Sequence, residues 1–183
     1  MLRKLRAFFK DKRGLAAVEF GLIAPVMGTM LVGTVEVCNA LECKQKVTSI
    51  ASSVADLVAQ EKTIKQTDMN NIFTAANQLI YPFSSTGSSI VVSSIMSDGN
   101  GNGTVAWSKA QNGTTLTTGS AVMVPTGLMT ASACARNACS VILTTVNYSY
   151  SSPLGKYFIG SSLMSDYFYA RPRKSASVTW SNS

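Results

Sequence analysis

Histidine is absent from this chain of 183 residues. The commonest general base and the commonest metal ligand of proteins are therefore both missing. The sequence also lacks a Gly-x-Ser-x-Gly motif, and its C-terminal two thirds contain no cluster of carboxylates. These absences predict a protein with no enzymatic activity, no cofactor and no metal site.

Basic residues are concentrated at the N-terminus. Positions 1–14 contain six basic residues and one acidic residue, so they contribute +5 of the net charge of +7. The remaining +2 is spread thinly, and the densest later group is Arg171–Lys174. Because nucleic-acid-binding proteins carry dense basic patches, the pI near 9.4 indicates membrane topology and no nucleic-acid partner.

An apolar tract of 21 residues, Leu15–Val35, contains Glu19 as its only charged residue. A helix needs about 20 apolar residues to cross a bilayer, whereas a cleaved secretory signal has an apolar region of roughly 7–15. The tract therefore predicts a single-pass transmembrane helix, with conventional cleavage near Cys38–Ala40 as the alternative. The basic residues before it predict a cytoplasmic N-terminus and a C-terminal domain in the periplasm.

The helical periodicity continues past the tract. Apolar residues recur at spacings of three and four up to about Gln60, which predicts an amphipathic extension of the helix: Val47, Ile50, Ala51, Val54, Leu57 and Val58. Pro25 removes one backbone hydrogen bond, so a kink or an unwound turn is expected between Gly21 and Pro25.

The rest of the chain predicts a short helix and a small sheet. Thr67 or Asp68 is the expected N-cap of the helix, and Pro82 follows its end. Its expected apolar face consists of Ile72, Ala75, Ala76, Leu79 and Ile80. Strands are expected near Ile90–Met96, Val105–Lys109, Val141–Tyr150, Leu163–Ala170 and Ser175–Trp180, with turns at 98–103 and at Asn112-Gly113 and a long loop at 111–135.

The predicted fold class is α+β, with a long N-terminal helix, a short helix and a small antiparallel β-sheet domain. The expected divisions are a cytoplasmic leader (1–14), a transmembrane helix (15–35), a periplasmic extension of that helix (36–61) and an α+β domain (62–183).

A carboxylate inside an apolar helix is costly, about 2.5–3.5 kcal/mol at the helix centre, so Glu19 requires a partner. Positions 10–20 read Lys-Asp-Lys-Arg-Gly-Leu-Ala-Ala-Val-Glu-Phe. This arrangement resembles a type IV prepilin signal, in which a membrane peptidase cuts after the glycine. By that resemblance, cleavage falls between Gly14 and Leu15, and Glu19 and Phe20 are candidates for processing and assembly. A plain signal anchor with an incidental glutamate is the alternative.

Cleavage would create an α-amino group with a reference pKa near 8, largely cationic at neutral pH. We hypothesise that Glu19 of one subunit pairs with this amine on Leu15 of a neighbour, which would satisfy two charges at once. Small residues spaced by four, Ala17 to Gly21 and Ala24 to Gly28, would let neighbouring helices approach closely in lipid.

The longer sequence Gly-Leu-Ala-Ala-Val-Glu-Phe-Gly-Leu-Ile-Ala-Pro at 14–25, together with Tyr169–Lys174, resembles the TadE/TadF-like pseudopilins of the tight-adherence (Tad) type IV pilus system. The resemblance implies residence in the bacterial inner membrane and a minor pilin role in priming, capping or supporting pilus assembly. The implied partners are the prepilin peptidase, other pilins or pseudopilins and the Tad assembly platform. In a pilus, the C-terminal domain would be extracellular.

A permanently anchored envelope protein that is never processed, and whose sheet domain holds a ligand, is the alternative function. The two interpretations differ in the mature N-terminus, which would begin at Leu15 in a pilin and at Met1 in an unprocessed anchor.

The four cysteines are expected to lie in an oxidising compartment, where disulfides form. Cys134 and Cys139 enclose four loop residues, which favours a local disulfide. Cys38 and Cys43 lie on the predicted helix, where their Cα atoms would differ by about 7.5 Å of rise, beyond the disulfide limit of about 7 Å. A break in the helix, pairing with Cys134 and Cys139, or pairing with another subunit all remain open.

Arg171, Arg173 and Lys174 are candidates for contact with an anionic surface. A solvated turn before the last strand is the alternative, and the alternating Tyr and Trp residues are interpreted as sheet packing.

Overall fold

The computed structural model describes residues 14–97, 100, 102–128, 139–152 and 161–182. Its fold is α+β, as the sequence predicts. Contacts divide the chain into two compact units, residues 1–40 and 41–183. The basic leader at 1–13 lies outside the described residues.

The described residues form two α-helices and seven strands. The helices are α1 (Leu15–Ala59) and α2 (Gln66–Leu79). The strands are β1 (Thr63–Ile64), β2 (Ser88–Ser97), β3 (Asn102–Gln111), β4 (Ala121–Met123), β5 (Cys139–Ser151), β6 (Ser161–Ala170) and β7 (Thr179–Trp180).

Helix α1 passes through Pro25 without interruption. The unwound turn expected between Gly21 and Pro25 is therefore wrong. Proline removes a single backbone hydrogen bond, and the bonds on either side of it keep a helix of 45 residues intact.

The part of α1 within the second unit buries a stripe with helical spacing. It consists of Cys43, Val47, Ile50, Ala51, Val54, Ala55, Val58 and Ala59. The predicted stripe is confirmed except at Leu57, which is 42% exposed. Alanines at three of these positions present little bulk, so the helix can lie close to its neighbours.

Helix α2 begins earlier than the sequence predicts. Lys65 is the N-cap, and Asp68 occupies the third helical position, where its carboxylate accepts a hydrogen bond of 3.1 Å from the Lys65 N–H. The predicted burial of Ala76 and Ile80 is confirmed, but the buried face is rotated toward Met69 and Phe73. The two large side chains determine the face, which leaves Leu79 44% exposed.

Five strands form one sheet in the order β4-β3-β2-β5-β6, and every neighbouring pair is antiparallel. The four long strands confirm the predicted ones. The strand expected at Ser175–Trp180 is reduced to β7, which pairs in parallel with β1. The expected loop at 111–135 contains β4 and a 3-10 turn at Thr126–Leu128, and its last residues lie outside the described part.

The two faces of the sheet pack against different parts of the chain. On the α1 face, the β5 side chains at alternate positions are buried, among them Ile142, Val146 and Tyr148. On the opposite face, Ile95, Val124 and Val141 form a second apolar cluster. The sheet therefore has side chains packed on both faces.

The last described residues, 171–182, form a strap that crosses the connection between α1 and α2. The Arg173 N–H donates to the Ala59 carbonyl (2.9 Å), Thr179 N–H to Lys62 (3.1 Å) and Ser181 N–H to Ile64 (3.0 Å). We call residues 171–182 the C-terminal strap. Its hydrogen bonds satisfy carbonyls at and just after the end of α1, which a helix cannot satisfy internally.

Candidate assembly helix and C-terminal strap

The predicted cleavage and assembly residues lie in the exposed first turns of α1. Gly14 and Leu15 are at its start, and Phe20 is 70% exposed. No side chain between Leu15 and Ala40 is buried. Among the described residues, α1 is the one helix long and apolar enough to cross a membrane, which is compatible with a single-pass membrane protein.

Glu19 follows Leu15 by four residues within the same helix. Residues with this spacing lie on one face, about one turn apart. The amine that cleavage would create is therefore on the same face of α1 as the only carboxylate in the apolar tract.

The small residues of α1 leave its surface open. A Cβ atom added at Gly21 or at Gly28 would meet no atom within 4 Å. Among the described residues, nothing packs against either glycine. No contact between described residues therefore requires a glycine at these two positions.

The described cysteines fall into two classes. Cys38 and Cys43 are free thiols on α1, Cys38 exposed and Cys43 buried. Burial, with a smaller contribution from the Glu42 charge, raises the pKa of the Cys43 thiol. Cys139 is disulfide-bonded, and Cys134 lies outside the described residues, so the predicted pairing of these two residues stays a prediction.

Arg173 contacts α1 through both its side chain and its backbone. Its guanidinium forms a salt bridge with the Asp56 carboxylate in the last turns of α1, and its backbone N–H bonds to Ala59. Arg171 and Lys174 are exposed. Of the three predicted contact residues, the described structure therefore uses Arg173 to attach the strap to α1. Asp56 was missed by sequence reasoning because it is 117 positions from its partner.

A second polar contact joins α1 to the edge strand β6. Lys44 forms a salt bridge of 3.3 Å with Asp166, and the Thr48 hydroxyl donates to the same carboxylate. The hydrogen bond from Thr48, with further ones from the Tyr167 N–H and Lys44, holds the pKa of Asp166 below its ordinary value against the opposing effect of burial. The Lys44 ammonium also donates to the Ser165 carbonyl (2.6 Å).

Residues 14–56 match the family described as TadE-like protein. The matched segment contains Gly14, Glu19 and the whole apolar part of α1. No curated protein matches the chain, and no solved structure does. The resemblance predicted from the N-terminal sequence is thus confirmed over residues 14–56, where the chain is similar to TadE-like proteins of the Tad pilus.

Proposed function

We propose that this protein is a minor pilin or pseudopilin, a structural subunit that primes, caps or supports assembly of a Tad-type pilus. The observation that carries the proposal is the TadE-like match over an apolar helix with no buried side chain between Leu15 and Ala40. Such a helix requires lipid or other helices around it, because so large an apolar surface is unstable in water.

The proposed path begins in the inner membrane. The leader at 1–14 keeps the N-terminus in the cytoplasm, the apolar tract at 15–35 spans the bilayer, and residues 36–183 lie in the periplasm. A prepilin peptidase then cuts between Gly14 and Leu15. The mature helix joins those of other pilins on the Tad assembly platform, with its C-terminal domain facing outward. No step in this path requires catalysis by the protein itself.

Glu19 has a defined role in this proposal. In lipid, its carboxylate pairs with the α-amino group of Leu15 on a neighbouring subunit. Each subunit therefore takes part in two such pairs, one through its amine and one through its carboxylate. Opposite charges that are buried together cost much less than either charge alone. The open surfaces at Gly21 and Gly28 allow the neighbouring helix to approach.

The first prediction concerns Glu19→Ala in cells that assemble pili. Cleavage after Gly14 continues, because the cut site is unchanged, but the protein in sheared pili falls by about tenfold or more since the amine loses its partner. Quantitative immunoblotting of sheared and membrane fractions measures this. Glu42→Ala is the matched control, since Glu42 is exposed on the same helix within the second unit. A normal amount of the Glu19→Ala protein in pili would contradict the pairing.

A further inference from the structure

A cleft of about 680 Å³ opens at the C-terminal end of β6. Ser52 and Asp56 of α1 form one wall, and Phe168 and Tyr169 of β6 form another. Leu128 and Arg171 complete its rim. All of these residues belong to the second unit. The cleft is mainly apolar, with one acidic residue and two arginines among its lining residues.

The cleft is lined by the last residues of β6, which is an edge strand among the described residues. Asp166 faces α1, where it contacts Thr48, so Phe168 lies on the same face by the alternation of a strand. Tyr169 packs against the apolar cluster on the opposite face. The two aromatic residues therefore border the cleft from opposite sides of the edge.

Within the part of the chain that the structure describes, side chains bond to the outer edge of β6 near the middle of the strand. Lys44 donates to the Ser165 carbonyl (2.6 Å), and the Asp166 carboxylate accepts from the Tyr167 N–H (3.0 Å). Backbone groups two residues further along an antiparallel strand point the same way. The N–H and carbonyl of Tyr169 consequently point away from β5, toward the side where a further strand would pair.

The charge of the cleft is uneven. Arg173 is neutralised by Asp56, whereas Arg171 is exposed and has no ion pair among the described residues. Lys174 follows three positions later and is also exposed. The uncompensated charge at the cleft is thus positive, which is complementary to a carboxylate.

We propose that the cleft binds an extended acidic peptide segment of a partner protein. The peptide pairs with the edge of β6 at Tyr169. It places one apolar side chain against Phe168 and the next, on the opposite face, against Leu128, and it directs a carboxylate to Arg171. Strand addition supplies main-chain hydrogen bonds, while the pocket and the cation select the side chains. This binding role goes beyond the proposed pilin function and does not depend on it.

The test uses the full chain in detergent micelles and a fluorescein-labelled peptide, Gly-Ser-Leu-Phe-Glu-Asp-Gly-Ser, followed by fluorescence anisotropy. Three matched peptides replace Glu-Asp by Gln-Asn, replace Leu-Phe by Ser-Ser, or carry N-methyl groups on Leu and Phe. Empty micelles measure the partitioning of each peptide. Two protein variants each remove one exposed positive charge. Arg171→Gln removes it from the cleft, and the control Lys62→Gln removes it from a position outside the cleft.

We expect saturable binding of the acidic apolar peptide at concentrations below about 1 mM. The Gln-Asn peptide and the Arg171→Gln variant should each weaken binding about fivefold or more, and Lys62→Gln should leave it unchanged. N-methylation of the peptide should abolish binding, because the peptide loses the N–H donors that would bond to the β6 carbonyls. Absence of saturable binding, equal binding of the Gln-Asn peptide, or equal binding of the N-methylated peptide would overturn the proposal.

Discussion

At the scale of single residues, Gly103 lies between Ile95 of β2 and Val124, which follows β4. A Cβ atom at this position would stand 2.5 Å from Ile95 Cγ2 and 2.8 Å from Val124 Cγ2. Both neighbours are β-branched and belong to the buried cluster on the face opposite α1, so neither side chain can rotate away easily. The glycine is required by close approach and not by an unusual backbone conformation.

Gly103→Ala is expected to lower the free energy of unfolding by about 1–3 kcal/mol, because the added methyl group overpacks this cluster. Chemical denaturation of the full chain in micelles, followed by tryptophan fluorescence, measures the change. Gly127→Ala provides the control, since a Cβ atom there would meet nothing within 4 Å. Equal stability of the two variants would show that the cluster can repack around the extra methyl.

The Asp166 contacts predict a pH dependence of stability at the same scale. The depressed pKa of this carboxyl means that the ionised form is favoured in the folded state. The ionised Asp166 carboxylate therefore stabilises the folded state. This stabilisation is fully present above the carboxyl's unfolded pKa of about 4 and is lost as the pH falls through its lower folded pKa. The gain is small because the Lys44 and Asp166 side chains are partly exposed, at 44% and 26%.

Asp166→Asn should therefore lower the free energy of unfolding at pH 7, and the loss should become progressively smaller below about pH 4. The urea midpoints of the variant and the parent, measured from pH 7 to pH 2.5, give this difference directly. Glu61→Gln, which removes the same charge from an exposed position, controls for net charge. A difference between Asp166→Asn and the parent that stays constant over this range would contradict the assigned cause.

At the scale of elements, the C-terminal strap is attached to the sheet by Trp107. The indole N–H of Trp107 donates to the Val178 carbonyl at 2.8 Å, and its side chain packs beside Trp180 with ring centroids 5.7 Å apart. Both Trp107 and Val178 are buried. Strand β3, the strap and the short β1–β7 pair are thereby held together by one buried hydrogen bond and its surrounding apolar contacts.

Trp107→Phe should cost about 1–3 kcal/mol, because the Val178 carbonyl would lose a buried partner. Trp180→Phe should cost much less, since its indole donates to the exposed Asn182 (2.9 Å). Thermal unfolding of both variants by circular dichroism compares them. Two similar midpoints would mean that the strap is not held by the Trp107 bond.

The strap also shows which elements the sequence could predict. Long periodic segments identified α1, α2 and the four long strands, because burial of one face imposes a spacing that can be read locally. Strand β7 lies within the strand expected at Ser175–Trp180, whereas β1 was not predicted. Strand β1 has two residues and pairs with β7 across more than a hundred positions, so no local pattern marks it. The sequence predicted Thr67 or Asp68 as the N-cap of α2. Lys65 was missed because lysine is not a capping residue, and Asp68 instead accepts a hydrogen bond from the Lys65 N–H at the third helical position.

At the scale of the whole molecule, the N-terminal pattern could be recognised in the sequence, whereas the cleft could not. Gly14, Glu19 and the apolar tract form one contiguous pattern that the TadE-like match also covers. The cleft joins residues from α1, the 3-10 turn, β6 and the strap, which only the tertiary fold brings together. Likewise, nothing in the Arg171–Lys174 sequence distinguishes Arg173, whose partner Asp56 is on α1, from its exposed neighbours.

The central claim is that this chain is a processed pilin whose mature helix begins at Leu15. Mass spectrometry of the N-terminal peptide, from the protein isolated from cells with and without an active prepilin peptidase, tests it most directly. The account predicts a start at Leu15 when the peptidase is active and a start at Met1 when it is absent. An intact Met1 in the presence of the peptidase, or a start near Leu41, would contradict the account and favour an anchored or conventionally secreted envelope protein.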